Sequence, residues 1–375
     1  MTDNPPFDIF LAVAPGLEPM LCAELAEKGF ADPRPEPGGV TIVGGWPEVW
    51  RANLEIRGAS RILARIGSFR VVHLSQLDKS ARRFDWASVL RSDVPVRVEA
   101  SCKRSKIYHA GAAAERIATA IEARLGAPVR DDAAVCVRVR IEDNLCTLSV
   151  DTSGELLHRR GFKAEVNKAP MRETLAALFL RAAGFDGEEP VLDPMCGSGT
   201  FVIEAAEMAA GLAPGRNRAF AFEQLAGFDA AAWSAMKAEA AARAAIIKPA
   251  SRYIGSDRDA GAVRMSATNA ERSGVAGITG FAGSPVEAVP RPDGPPGLVI
   301  VNPPYGARIG NKKGLYPIYG AFGDAMRLRF SGWRVAMVTT DPALARATRL
   351  PFGPPGRPVD HGGIKVRLFT TAPLR

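Results

Sequence analysis

The chain has little of what marks several large protein classes. Its five cysteines (Cys22, Cys102, Cys136, Cys146 and Cys196) are an odd number without C-x-x-C spacing. That pattern indicates neither a disulfide framework nor a zinc site, so reduced thiols are expected. Its four histidines are too scattered to suggest a metal. No apolar run approaches the ~18 residues of a membrane-spanning helix. The stretch from Met1 to Pro6 has no charged-then-apolar signal pattern. These absences predict a cytoplasmic protein with no membrane partner and no metal. A phosphate loop ending in Gly-Lys-Ser/Thr is missing, as is the G-x-G-x-x-G spacing of a dinucleotide fold. No internal repeat and no low-complexity tail is visible.

What is present begins with size and charge. A length of 375 residues predicts two or three domains with ample core. Basic side chains number 48 against 40 acidic ones, a net charge of +8, which favours a polyanionic partner.

The most informative stretch is Asn302-Pro303-Pro304-Tyr305, which follows the apolar run Leu298-Val299-Ile300-Val301. That order places it in a loop at the carboxyl end of a buried strand, where open α/β sheets bind ligands. The Asn302 side-chain oxygen and the Pro303 carbonyl can both accept hydrogen bonds from an amine. The prolines stiffen the loop, and Tyr305 offers a face for stacking. The bland alternative is a proline-rich turn.

A second motif, Asp193-Pro194-Met195-Cys196-Gly197-Ser198-Gly199-Thr200, joins the apolar pair Val191-Leu192 to a helical pattern from Phe201. Glycines allow close backbone approach to a ligand, and the helix start supplies N–H donors suited to a carboxylate. Third, Tyr253-Ile254-Gly255-Ser256 ends in Asp257. An acid at the end of the second strand is placed to bind ribose hydroxyls, while Asp259 reads as a helix N-cap.

D-P-x-C-G-S-G-T, then G-S-D, then N-P-P-Y-G resembles the class I S-adenosylmethionine-dependent methyltransferases that act on exocyclic amines. The chain is most similar to RNA guanine-N2 methyltransferases with an N-terminal THUMP domain, such as the bacterial 23S rRNA enzymes. The resemblance implies an α/β, Rossmann-like catalytic domain over residues 161–375. Before it would come a ferredoxin-like α+β unit (1–69) and a THUMP RNA-binding domain (70–160). It also implies S-adenosylmethionine held by Asp193 to Thr200, Asp257 and Asn302, and an amine held by Asn302 to Tyr305. After the third strand, relatives place an acid near the adenine. Here Phe281-Ala282-Gly283-Ser284-Pro285 is followed by Glu287, leaving Ser284, a backbone group or Glu287 for that contact. 23S rRNA is the expected substrate. tRNA, adenine-N6 acceptors, release-factor glutamine and a non-catalytic assembly role remain alternatives.

The pattern in the N-terminal half predicts strands at 8–13, 40–43 and 62–66, helices at 17–28 and from 47, and a loop at 33–39. Further on it predicts a helix from Leu74, a strand at 94–100, a helix at 112–125 and a hairpin of 135–141 with 146–150. Residues 154–169 read as a linker before a helix at 175–180. Three basic stretches suit phosphate contact: Lys103, Arg104 and Lys106; Arg138 and Arg140; and Arg159, Arg160 and Lys163 around Phe162. Arg308, Lys312 and Lys313 follow the amine-holding motif and are further candidates for RNA phosphates.

Overall fold

The computed structural model describes residues 5–163, 171–305 and 314–375. Within it the chain forms two compact units. The first is Met1–Val13, Cys22–Leu157 and Arg218–Ala238, and the second Ala14–Leu21, His158–Asn217 and Glu239–Arg375.

The first unit is built on β1 (Phe7–Ala12), β2 (Arg34–Glu36), β3 (Gly39–Gly44), β4 (Arg61–Arg70), β5 (Val96–Lys103), β6 (Val135–Glu142) and β7 (Leu145–Asp151). They make one seven-stranded sheet in the order β2-β3-β1-β4-β7-β6-β5. Only β5 and β6 run parallel, because the helix between them carries the chain back across the sheet. Of the chain's first four helices, α1 (Glu18–Glu27), α2 (Trp46–Glu55), α3 (Leu74–Arg83) and α4 (Ala110–Leu125), this last one is that crossover. It starts where the His109 ring accepts from Ala112 N at 2.9 Å and ends at Gly126 in the left-handed conformation.

Residues 33–39, expected as a loop, hold a strand: Arg34, Pro35 and Glu36 pair with β3. Pro35 is tolerated because β2 lies at the sheet edge, where a missing N–H breaks no inner ladder. Gly67 marks a bulge in β4. A Cβ there would lie 2.8 Å from the Phe84 ring, so the close approach requires glycine. Residues from Arg218–Ala238 join this unit through aromatic packing: Phe222 stacks on Trp50 at 6.2 Å and meets Trp233 edge-on at 5.1 Å.

The second unit holds α5 (Glu173–Ala182), β8 (Val191–Asp193), α6 (Thr200–Ala209), α7 (Ala230–Ala245, which begins in the first unit), β9 (Tyr253–Asp257) and α8 (Ala260–Ser273). After these come β10 (Thr279–Gly283), β11 (Leu298–Val301), α9 (Leu315–Arg329), β12 (Arg334–Thr339), α10 (Pro342–Ala347), β13 (Val359–His361) and β14 (Ile364–Thr370). The sheet order is β10-β9-β8-β11-β12-β14-β13, with β10 to β12 parallel and the last two strands antiparallel. All four residues of β11 are at most 1% exposed, as a parallel strand covered on both faces must be. Strand order reverses between β8 and β11, which pair directly (Leu298 with Val191). A crevice opens at such a point beyond the carboxyl ends of the strands. The Gly-rich turn leaves β8 and Asn302 leaves β11, so topology alone brings the two motifs together.

Candidate active site

The turn after β8 is held by the elements beside it. Cys196 N donates to Ser256 O (2.9 Å), and Gly199 N closes back on Cys196 O (2.8 Å). Gly197 N donates to Asp257 Oδ2 (3.0 Å). From α8, Ser266 Oγ donates to Gly197 O (2.9 Å) and Asn269 Nδ2 to Ser198 O (3.2 Å). Gly197 and Gly199 have φ of +55° and +78°, where a side chain is strained. Gly199 is also the residue before α6, and a Cβ on it would press on Ser266 and Phe281 at 3.1–3.2 Å.

Asp193 ends β8 and is 2% exposed. Its Oδ1 accepts from Met195 N at 3.0 Å. Burial, with a smaller push from Asp257, raises its carboxyl to about 8. Asp257 is held by Gly197 N and by Asp259 N. Asp259 caps α8, its Oδ1 accepting from Gly261 N at 2.7 Å, as its spacing predicts. The Cys196 thiol is pushed up by burial, which makes it a poor nucleophile.

Across the crevice, Pro304 O accepts from the Tyr319 hydroxyl (3.3 Å), which also meets Thr339 Oγ1 at 3.1 Å. Tyr319 is 1% exposed, so the proline loop is anchored to the core by a buried phenol. Asn302 Oδ1 is buried and has no hydrogen-bond partner among the described residues. Leaving such an acceptor unmet costs about 1–3 kcal/mol, and that cost is recovered by a ligand that donates to it.

The Gly-rich turn and the proline loop line one cavity of about 1060 Å³, just above the size of ordinary ligand pockets, about 300–1,000 Å³. Asp193 to Ser198, Thr200 and Asp257 form one wall and Asn302 to Tyr305 another. Gly199 and Ser284 are not among the lining residues. Ser284, one of the three candidates for the adenine contact, donates its hydroxyl to Pro285 O (3.2 Å) and its N–H to Asp257 O (3.0 Å). The adjoining Pro285, Val286 and Glu287 line the cavity. Arg258, His361 and Ile364 also line it. His361 and Ile364 come from the β13–β14 hairpin and carry no local motif that signals a site.

The basic candidates divide. Lys103, Arg104 and Lys106 are exposed, although Arg104 is engaged by Glu142 (2.8 Å) and Asp143 (3.0 Å). Arg138 pairs with Glu99 at 2.8 Å, and Arg140 pairs with Glu142. Arg159 is exposed. Arg160, Phe162 and Lys163 correct the expectation of an RNA-facing stretch. Arg160 pairs with Glu204 at 3.3 Å with both side chains at most 2% exposed. Phe162 is 5% exposed, and Lys163 pairs with Glu173 at 3.1 Å. Burying a cation costs several kcal/mol, and here carboxylates on α5 and α6 offset it. Arg308, Lys312, Lys313 and the linker residues 164–170 lie outside the described residues.

A doubly wound sheet with a Gly-rich turn after its first strand, an acid after its second and Asn-Pro-Pro-Tyr after its fourth defines a Rossmann-like class I methyltransferase. The chain belongs to the family described as the RMKL-like methyltransferase domain, which matches residues 160–352. The RlmL ferredoxin-like domain matches residues 8–63. Ribosomal RNA large subunit methyltransferase K/L of Vibrio campbellii is 32% identical over 353 residues, covering 91% of this chain and 50% of that protein. The chain thus spans half the length of that curated relative. SMU.472, described as a candidate methyltransferase and solved with S-adenosylhomocysteine, superposes with a TM-score of 0.88 at 25% identity, covering 99% of each chain. A Listeria monocytogenes protein described as a predicted N6-adenine-specific DNA methylase gives 0.87 at 26% identity, over 98% and 97%.

The lining residues fit the methyl donor of this class, S-adenosylmethionine. The start of α6, with the Ser198 and Thr200 hydroxyls, suits a carboxylate. Asp193 and Asp257 suit an ammonium group and ribose hydroxyls, and Pro285 and Val286 suit the faces of an adenine.

Proposed function

We propose that the protein transfers a methyl group from S-adenosylmethionine to the exocyclic N2 amine of a guanine in RNA, with large-subunit rRNA as the substrate. The observation that carries this reading is the buried, unpartnered Asn302 Oδ1 in the same cavity as the Gly-rich turn. When bound, S-adenosylmethionine supplies an electrophilic methyl on a positively charged sulfur. A guanine amine is a weak nucleophile because its lone pair is delocalised into the ring. Asn302 Oδ1 and the Pro303 carbonyl accept its two N–H bonds, orient the lone pair and offset the positive charge that develops on nitrogen. Orientation and preorganised electrostatics are the two main contributions. Tyr305 stacks on the base. Pro304, fixed by Tyr319, holds the loop in place.

The name of the curated relatives supports rRNA as the substrate, as does the excess of 48 basic over 40 acidic side chains. Residues 70–160 serve, in this reading, as a THUMP module whose exposed Lys103, Arg104 and Lys106 contact phosphates, with Arg159, Arg308, Lys312 and Lys313 as further candidates for phosphate contact. The description of the Listeria neighbour favours adenine as a second acceptor.

The test is methyl transfer from labelled donor to total RNA of a strain lacking the protein, with nucleosides identified by mass spectrometry. N2-methylguanosine in large-subunit rRNA is expected. N6-methyladenosine would overturn the base assignment, and label confined to tRNA would overturn the substrate.

A further inference from the structure

Two cations that the sequence places in a solvent-facing stretch are folded inward beside the Gly-rich turn. Arg160 pairs with Glu204 of α6. Three residues later, Lys163 Nζ lies 3.1 Å from Glu173 Oε1, with the two side chains 9% and 6% exposed. The same ammonium donates to Thr200 Oγ1 at 2.8 Å. Thr200 is the first residue of α6, is 7% exposed and lines the cavity with Ser198, whose hydroxyl is 3.4 Å away.

We propose that Lys163 is a positioning residue for the carboxylate of the bound methyl donor, acting through the Thr200 hydroxyl. This rests on the reading that the cavity takes S-adenosylmethionine. An ammonium group has only donors, whereas a threonine hydroxyl has one donor and two acceptor lone pairs. With Lys163 occupying a lone pair of Thr200, the hydroxyl proton is directed away from the ammonium and is available to a ligand in the cavity. The donor that faces the ligand is therefore oriented before binding and polarised by an adjacent cation. Glu173 fixes the ammonium and balances its charge. The Arg160–Glu204 pair pins the same segment to α6 at a second point, which limits how far Lys163 can drift. Glu173 opens α5, so one set of interactions ties together the segment at 160–163, the start of α5 and the anion-binding end of α6.

The experiment is calorimetric titration with two ligands: S-adenosylhomocysteine, and 5′-methylthioadenosine, which keeps the nucleoside and sulfur but lacks the carboxylate. Lys163→Met and Thr200→Val are each expected to weaken S-adenosylhomocysteine about tenfold and to leave methylthioadenosine within about twofold. Lys163→Arg and Thr200→Ser should recover most of the loss. The double variant should be no weaker than the poorer single one, because both remove the same hydrogen bond. Equal losses for both ligands, or unchanged affinity for S-adenosylhomocysteine, would overturn the proposal. If Lys163→Met does not fold, Lys163→Gln, which keeps a polar donor but removes the charge that polarises Thr200, decides by the same two-ligand comparison. Wild-type protein that takes up neither ligand would sink the reading of the cavity itself, a result separable from failure of the Lys163 role.

Discussion

Replacement of Asn302 by alanine separates chemistry from binding and from folding. The side-chain oxygen is buried without a partner among the described residues, so removing it sacrifices no observed intramolecular hydrogen bond to that atom. An unmet buried acceptor costs about 1–3 kcal/mol. The variant is relieved of that cost while losing some packing, so its melting temperature should be unchanged or slightly higher. Turnover should fall steeply. Loss of one preorganised group at a developing charge costs about 2.7–4 kcal/mol, or about 10²–10³ in rate. Affinity for S-adenosylhomocysteine should stay near normal, since the proposed donor-side contacts come from the Gly-rich turn and Asp257. Single-turnover methyl transfer, calorimetry and thermal denaturation on the same preparation read all three quantities. Retained turnover, or a loss of cosubstrate affinity matching the loss of rate, would refute the amine-holding role.

Asp193 makes stability depend on pH. Its carboxyl, raised to about 8 by burial and by Asp257, stays protonated in the fold while the unfolded chain ionises near the ordinary value of about 4. Its stabilising contribution is complete below that value and is lost as pH rises towards about 8. Asp193→Asn should therefore gain stability relative to wild type across this window in denaturant titrations without ligand, and show no further relative change above it. Lys103→Glu with Lys106→Glu should weaken RNA binding and flatten its salt dependence by about 0.7–0.9 for each phosphate no longer neutralised. An unchanged slope in filter binding would exclude these side chains. Tyr319→Phe removes the anchor of Pro304 and one partner of Thr339. It should cost about 0.5–1.5 kcal/mol in stability for each hydrogen bond removed and lower the rate, with little change in cosubstrate affinity.

The parts legible in the sequence were those in which a motif touches a strong local pattern. Leu298 to Val301 is an unbroken apolar run, so the depth of the strand and the exit point of Asn302 followed from order alone. The Gly-rich turn was similarly flanked by a strand and a helix, and Asp259 read correctly as a cap. The burial of Arg160 and Lys163 was not legible, because it depends on Glu204 and Glu173 arriving from α6 and α5. Locally, Arg-Arg-Gly-Phe-Lys looks like a solvated basic surface. The residue beside the adenine was not legible after the third strand, because Ser284 is held by hydrogen bonds to neighbouring backbone groups while Pro285, Val286 and Glu287 line the cavity. β2 was hidden by Pro35, which only an edge position tolerates, and His361 reaches the cavity only through a hairpin that pairs antiparallel at the far side of the sheet.

A crystal structure of the complex with S-adenosylhomocysteine tests the central claim most directly. The account predicts the amino-acid carboxylate at the start of α6, the ribose at Asp257 and the sulfur facing the Asn302 side of the cavity. A ligand bound outside this cavity, or inside it with its sulfur turned away from Asn302, would contradict it.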